Sequence, residues 1–368
     1  MFRKLLPCLF AGIACAQDAT ENVAPMLEAI RAKHQLPALA AAAVIDGRVV
    51  ALGTTGTRKF GGREKVTDAD LWHIGSDTKS MTASLAAVLV EAGKIKWKTT
   101  VAEVFPAYRG RMNDAWKAVT LEQLLTNRAG APGAAPVDLW RTAQQQTGSP
   151  TSQRLDFVRG LIERPPEAPQ GTKFIYSNQG FAIAGAMLEK VAGQPFEKLM
   201  MERLFGPLGL KTAGFGAPGD ARRVDQPWGH TGAGANLTPV PPGPAADNPP
   251  AITPAGRVHL SIADFARYAG WHARGAAKGK ALLSEASFTK LHTAAPGQDY
   301  AMGWIVAERP WAGGKALSHS GSNTMWLAVA WVAPAKDAAF VVATNVTGKD
   351  AEQGCDEAVS ALLQKLLR

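Results

Sequence analysis

Apolar positions change their spacing twice along the chain. Between 36 and 56, "LPALAAAAVIDGRVVALGTTG" carries two short apolar runs around Asp46-Gly47, a dipeptide suited to a tight turn, and predicts a hairpin. An amphipathic helix is expected just before it, over about 21–34. Met81, Leu85, Val88, Leu89 and Ala92 then recur at three- and four-residue intervals ahead of Gly93, which predicts a helix entered at Gly75-Ser76. From about 97 to 295 the pattern stays mostly helical, clearest in "TLEQLLTNRAG", "NQGFAIAGAMLEKVAG", "SIADFARYAGWHARG" and "LLSEASFTKLHTA". From about 300 it turns extended again: "YAMGWIVAE", "TMWLAVAWVAP" and "AAFVVATNVTG" read as three successive strands, and "DAEQGCDEAVSALLQKLLR" as a closing helix.

Strands at both ends with helices between predict an α/β (α+β) architecture. Residues 17–96 and 297–368 would form an antiparallel sheet flanked by helices, residues 97–296 a mostly helical domain, and the cleft between them the site. Residues 216–256, rich in Pro and Gly, are too long for a simple connector and are expected to border that cleft.

Composition refines this picture. With 46% hydrophobic and 19% charged residues over 368 positions, the chain is an ordinary globular protein with room for a large core. Residues 1–16 pair basic Arg3 and Lys4 with a short apolar run and Ala14-Cys15-Ala16, the form of a cleaved signal peptide, so a periplasmic or secreted location is expected. Lipid attachment at Cys15 is an alternative for which Gly12-Ile13-Ala14 is a poor match. Cleavage would leave Cys355 as the single cysteine, and hence no internal disulfide. It would also take two of the 40 Lys and Arg, leaving 38 against 31 Asp and Glu. These charges are scattered; Lys94, Lys96 and Lys98 read as a solvated turn, so no nucleic-acid partner is expected. The seven histidines show no metal-ligand spacing, no G-x-S-x-G surrounds any serine, and no stretch after the N-terminus is apolar enough to be an integral membrane segment.

The candidate chemistry starts at Ser76-Asp77-Thr78-Lys79. Residues three apart on a helix share a face, so the Lys79 ammonium reaches the Ser76 hydroxyl, and the positive helix end favours an oxyanion there. The pattern alone is equally met by a capping serine beside a solvated lysine, and Ser287-Phe288-Thr289-Lys290 matches it too. Two further motifs single out Ser76. Tyr176-Ser177-Asn178 precedes an apolar helical run, and His319-Ser320-Gly321 stands at the head of the late strand pair. His230-Thr231-Gly232 copies the third motif by letter but sits in the Gly/Pro-rich segment with no strand evident behind it. Ser287, late in the helical region, is expected to be a surface position.

In order and context these motifs resemble the S-x-x-K, Y-x-N and [K/H]-[T/S]-G signatures of the penicillin-recognising serine hydrolases. The branch is that of class C β-lactamases, D-alanyl-D-alanine carboxypeptidases and related esterases. The similarity continues through "LWHIGSDTKSMTA", "LFGPLGL", "YAMGWIV" and "SHSGSNTMW". It implies a β-lactamase/transpeptidase-like fold and an exported serine hydrolase acting on a D-Ala-D-Ala-type peptide, a β-lactam or an ester, with a small-molecule or peptidoglycan-like substrate and no cofactor. A carboxylesterase and a non-turnover penicillin-binding sensor are the alternatives. The resemblance makes Ser76 the nucleophile and shares the proton work between Lys79 and Tyr176, leaving open which is the base. Asn178, His319, Ser320, Gly321 and Ser322 would bind substrate, the backbone N–H groups of Ser76 and Ser322 forming the oxyanion hole.

The chain departs from the pattern at His319, where most β-lactamases of this branch carry lysine; a neutral imidazole attracts a carboxylate less strongly. Arg257 and Arg128 are candidate replacement cations, and Trp304 and Trp326 candidate cleft walls. Asp77 fits the helix dipole, and Asn127 in "LLTNRAG" is expected to be structural.

Overall fold

The computed structural model describes residues 20–276 and 282–367. The segment 1–16, expected to be a signal peptide and containing Cys8 and Cys15, lies outside the described residues. Four strands come early: β1 (Glu21–Asn22), β2 (Ala38–Ile45), β3 (Arg48–Gly56) and β4 (Leu71–His73). Four short ones follow in the middle: β5 (Gly214–Phe215), β6 (Gly229–Thr231), β7 (Thr238–Val240) and β8 (Val258–Ser261). The last four are β9 (Ile305–Arg309), β10 (Gly314–Ser322), β11 (Leu327–Ala333) and β12 (Ala338–Thr344). The longest helices among the described residues are α1 (Ala24–Lys33), α2 (Thr78–Glu91), α3 (Pro150–Ile162), α4 (Asn178–Ala192), α5 (Ile262–Arg274) and α6 (Lys349–Leu366).

Seven strands make the main sheet in the order β1-β3-β2-β12-β11-β10-β9, antiparallel except for β1 against β3. Chain ends therefore meet at its centre, where β12 pairs with β2 over Ala338↔Ile45 to Thr344↔Leu39. Successive side chains of a strand point to opposite faces, and both faces here are covered. On β12, Ala339, Val341 and Ala343 pack with α5, while Phe340 and Val342 pack with α1 and α6. That double burial makes β2, β11 and β12 continuous apolar runs, legible as strands. The expected hairpin at Asp46-Gly47 is present, both residues having positive φ.

β10 escapes the sequence pattern. The pattern predicts three late strands with the third motif at the head of the last two; there are four, and the motif lies within β10. Gly314, Lys315 and the polar stretch from Ser318 to Ser322 deny it the apolar run of its neighbours, and what makes it a strand is pairing on both sides, with β9 and with β11.

The helix α2 runs through the middle of the molecule, eleven of its fourteen residues buried. Its buried hydroxyls are matched by backbone: Thr82 donates to the Pro254 carbonyl at 2.7 Å, and Thr78 accepts from the Val258 N–H at 3.1 Å. Burial on every side explains why α2 lacks a polar face.

Several expectations fail for packing reasons. Trp304 and Trp326 are fully buried, Trp304 against Tyr268 and His272, Trp326 against His73, so neither faces substrate. Ser287 is not a surface serine; it donates to Glu91 from a largely buried position, while Lys290 pairs with Glu122. His230 does have a strand, the β6–β7 ribbon, but both its ring nitrogens are used, by the Phe60 N–H at 2.9 Å and the Asn345 carbonyl at 2.7 Å.

Candidate active site

The chain reaches Ser76 through a tight turn. After β4, the His73 imidazole accepts the Gly75 N–H at 3.1 Å, and Gly75 takes φ of +49° to start the turn Gly75–Asp77. A Cβ at Gly75 would lie 2.3 Å from the backbone nitrogen of Ser322, so β10 can close on this turn only because glycine stands there. Ser76 sits in that turn, one turn ahead of Lys79 in α2.

Tyr176 and Asn178 arrive from the other side. The Ser177 hydroxyl caps α4 by accepting the Gly180 N–H at 3.1 Å, and donates to the Pro132 carbonyl at 2.7 Å. Asn127, at φ +56°, accepts the Ser177 N–H on its side-chain oxygen and the Ile175 N–H on its carbonyl. It is the latch that sets Tyr176 over the serine.

Lys79 is the centre of the arrangement. Its ammonium is fully buried and donates to Ser76 Oγ at 3.0 Å, Asn178 Oδ1 at 2.7 Å and the Ala255 carbonyl at 2.8 Å. It also lies 4.6 Å from the centre of the Tyr176 ring. Burial pulls its pKa down to about 7, with the Asp77 charge opposing. Asn178 and Ala255 are acceptors only towards it, so they hold two protons. Loss of the third leaves a lone pair aimed at the Ser76 hydroxyl. The Tyr176 phenol bonds Ser76 as well, but burial raises its pKa above the ordinary value. Of the two, the amine is the more easily unprotonated at neutral pH.

His319 is buried on β10, its ring centre 6.3 Å from those of Tyr176 and Tyr300. Burial and the Lys79 charge pull its pKa down to about 3, so it is neutral at physiological pH. Ser320 is exposed on the same strand, and Gly321 and Ser322 run against the Ser76 turn. The structure thus brings Ser76, Lys79, Tyr176, Asn178, His319, Gly321 and Ser322 to one place. The candidate cations are committed elsewhere: Arg257 donates to Asp247 at 3.0 Å, and Arg128 to the Gly171 carbonyl. One lip of the site is aromatic, with Phe174 and Tyr176 partly exposed around Tyr300.

Sequence reasoning missed the support beneath the site. The buried Asp247 carboxylate takes the His73 ring at 2.9 Å and Arg257 on its other oxygen, and Asn323 donates to the Ala246 carbonyl at 3.1 Å. These ties strap the Gly/Pro-rich segment across the floor and deliver the Ala255 carbonyl to Lys79. Because 174 positions separate His73 from Asp247, no local spacing announces the pair. Asp77 also departs from expectation: it is 1% exposed and neither carboxylate oxygen has a hydrogen-bond partner, unlike an acid solvated at a helix start.

Residues 23–364 match the Beta-lactamase family model. The chain belongs to the β-lactamase family. This is a fold of serine hydrolases whose members here include penicillin-binding proteins and β-lactamases. It is 28% identical over 330 residues to Penicillin-binding protein 4 of Amycolatopsis lactamdurans, covering 86% of this chain and 83% of that one. It is 25% identical to a β-lactamase of Escherichia coli K12 over 62% of this chain and 58% of the relative. Among solved structures, the octameric penicillin-binding protein homologue from Pyrococcus abyssi superposes with a TM-score of 0.75 at 25% identity, covering 92% of this chain and 77% of that one. The β-lactamase/transpeptidase fold expected from the motifs is the fold observed. Among the described residues no helix is long and apolar enough to cross a membrane, and no group of three His, Cys, Asp or Glu side chains is placed to hold a metal.

Proposed function

We propose that this β-lactamase-family protein is an exported serine hydrolase that works through an acyl-enzyme on Ser76. The observation that carries the reading is the three-acceptor cradle around Lys79, which turns a buried amine into a base pointed at one hydroxyl. Neutral Lys79 takes the Ser76 proton as Oγ attacks a substrate carbonyl. The tetrahedral oxyanion is met by the backbone N–H groups of Ser76 and Ser322. The proton returns to the leaving group through Tyr176 or Lys79, and water releases the acyl group by the same route.

The substrate class follows from charge. With His319 neutral and Arg257 and Arg128 engaged, the third-motif side offers little to a carboxylate, while Phe174 and Tyr176 offer apolar surface. This favours an uncharged ester or amide over a β-lactam or a D-Ala-D-Ala terminus. A penicillin-binding protein is the second reading, supported by the likeness to the Amycolatopsis penicillin-binding protein over most of both chains.

The test compares wild type and S76A on a short-chain nitrophenyl ester, a D-Ala-D-Ala peptide and a chromogenic cephalosporin, alongside fluorophosphonate labelling. Ester turnover and labelling, both lost in S76A, are expected. Equal labelling in S76A refutes the nucleophile; labelling without turnover of any substrate refutes the hydrolase in favour of a sensor. Export is checked by the N-terminal mass of protein recovered from the envelope or medium.

A further inference from the structure

Three buried polar atoms without partners meet behind the site. They are both carboxylate oxygens of Asp77 and Nδ1 of His319. Asp77 Oδ1 lies 3.9 Å from His319 Nδ1, and both residues are at least 96% buried. Buried polar groups left unpaired are costly, and three in one spot, two of them on the residue that follows the nucleophile, call for a common explanation. A bridging water is a poor one. Two ordinary hydrogen bonds of about 2.8 Å spanning this gap would meet at nearly a right angle on the water. A small side-chain rotation closes the gap directly.

The surroundings decide who holds the proton. Facing His319 are Asp77 from the Ser76 turn, Lys79 from α2, and the Tyr176 and Tyr300 rings. From β9 and β11 only Ile305, beside Ser318, and Ala330, opposite His319, stand in the ladders. The Lys79 charge and the backbone N–H of Asp77 itself favour a carboxylate, but burial outweighs both and pushes the carboxyl well above the ordinary range. The same burial and the same Lys79 charge disfavour an imidazolium at His319, outweighing the Ser320 backbone, which favours a proton on the ring. The pairing that this geometry and burial favour is one of two neutral groups, a carboxyl that donates and a ring nitrogen that accepts. The space they share is tight, since a Cβ at Gly321 would lie 2.7 Å from Asp77 Oδ2.

We propose that Asp77 is a positioning residue for His319: its protonated carboxyl donates to Nδ1, fixing the ring as the neutral tautomer with its proton on Nε2, so that the third motif offers the substrate an uncharged donor. This rests on the serine-hydrolase reading of the site. It gives Asp77 a role that a helix-dipole acid would not have, and explains how a histidine replaces a cation at this strand.

Histidine-labelled protein examined by nitrogen NMR from pH 6 to 8, with H319Q to assign the resonance, tests it. Wild type is expected to show His319 Nδ1 as an unprotonated acceptor and Nε2 as protonated. D77V, which removes the donor, is expected to shift both resonances towards a mixture of tautomers, and D77N, whose amide still donates, to restore the wild-type pattern. A protonated Nδ1 in wild type overturns the proposal whether or not the variants fold, as do unchanged resonances in D77V. Fluorophosphonate labelling of the same wild-type sample keeps the two claims apart: a sample that fails to label refutes the hydrolase, while its His319 resonances still decide the pairing.

Discussion

Replacing Lys79 by methionine separates the cost of burying this amine from its use. Methionine keeps the length and most of the volume but carries no proton. In wild type, Lys79 is pulled from an ordinary 10.5 to about 7 in the folded state, chiefly by burial. Below about pH 7 it is protonated in both folded and unfolded chains, and the full penalty of a buried charge is felt. Between about 7 and 10.5 the unfolded chain keeps a proton that the folded chain lacks, so stability must rise with pH. The rise is about 1.4 kcal/mol per pH unit and, over the whole interval, about 5 kcal/mol. K79M has no such term. Its lost hydrogen bonds to Ser76, Asn178 and Ala255 add an offset that does not depend on pH. The assay is guanidinium unfolding of both proteins at pH 6, 7, 8 and 9, repeated in a D77N background, where loss of the charge that opposes the shift should start the rise at a lower pH. The difference in unfolding free energy between wild type and K79M should be flat to about pH 7 and then climb by about 3 kcal/mol by pH 9. The kcat/KM of wild type on a neutral ester should rise through the same pH, because the same proton blocks the base. Parallel stability curves would refute the account of Lys79 as a depressed amine, and with it the assignment of the base.

Further outcomes follow from particular contacts. In G321A the new Cβ would lie 2.0 Å from the Ile74 carbonyl, forcing β10 off the Ser76 turn, so kcat/KM is expected to fall at least about 100-fold; stopped-flow acylation would measure it. H319K restores a cation to the third motif, and the ratio of kcat/KM for a carboxylate-bearing ester over its neutral analogue should rise about tenfold, or about 1.4 kcal/mol. R154M breaks a fully buried arginine paired with Glu189 and Glu197 that makes no hydrogen bond to Ser76, Lys79, Tyr176 or Asn178; denaturant melts should show a loss of about 3–5 kcal/mol with fluorophosphonate labelling of the folded protein unchanged.

Much of this molecule is written in its local pattern. The β2–β3 hairpin, α2, α4 and the last two strands are legible because each is specified by its own residues: a turn dipeptide, an apolar period, a capping serine, or an apolar run long enough to be covered on both faces. Two of the three motifs are legible for the same reason, since S-x-x-K and Y-x-N each fit within one turn beside a helix start. What the sequence could not decide is everything that depends on two distant segments meeting. β10 is a strand because of its neighbours, not its alternation. Trp304 and Trp326 are core because the fold closes over them, and His230 is excluded because the backbones of Phe60 and Asn345 consume its ring. The ties from Asp247 to His73 and Arg257, and the Ala255 carbonyl that holds Lys79, come from a segment whose composition suggests only a loop. Charge state belongs wholly to tertiary structure. Sequence supplies a lysine, a histidine and an aspartate of ordinary acidity, and it is their shared removal from water that makes the lysine a base, keeps the imidazole neutral and pushes the carboxyl well above its ordinary range.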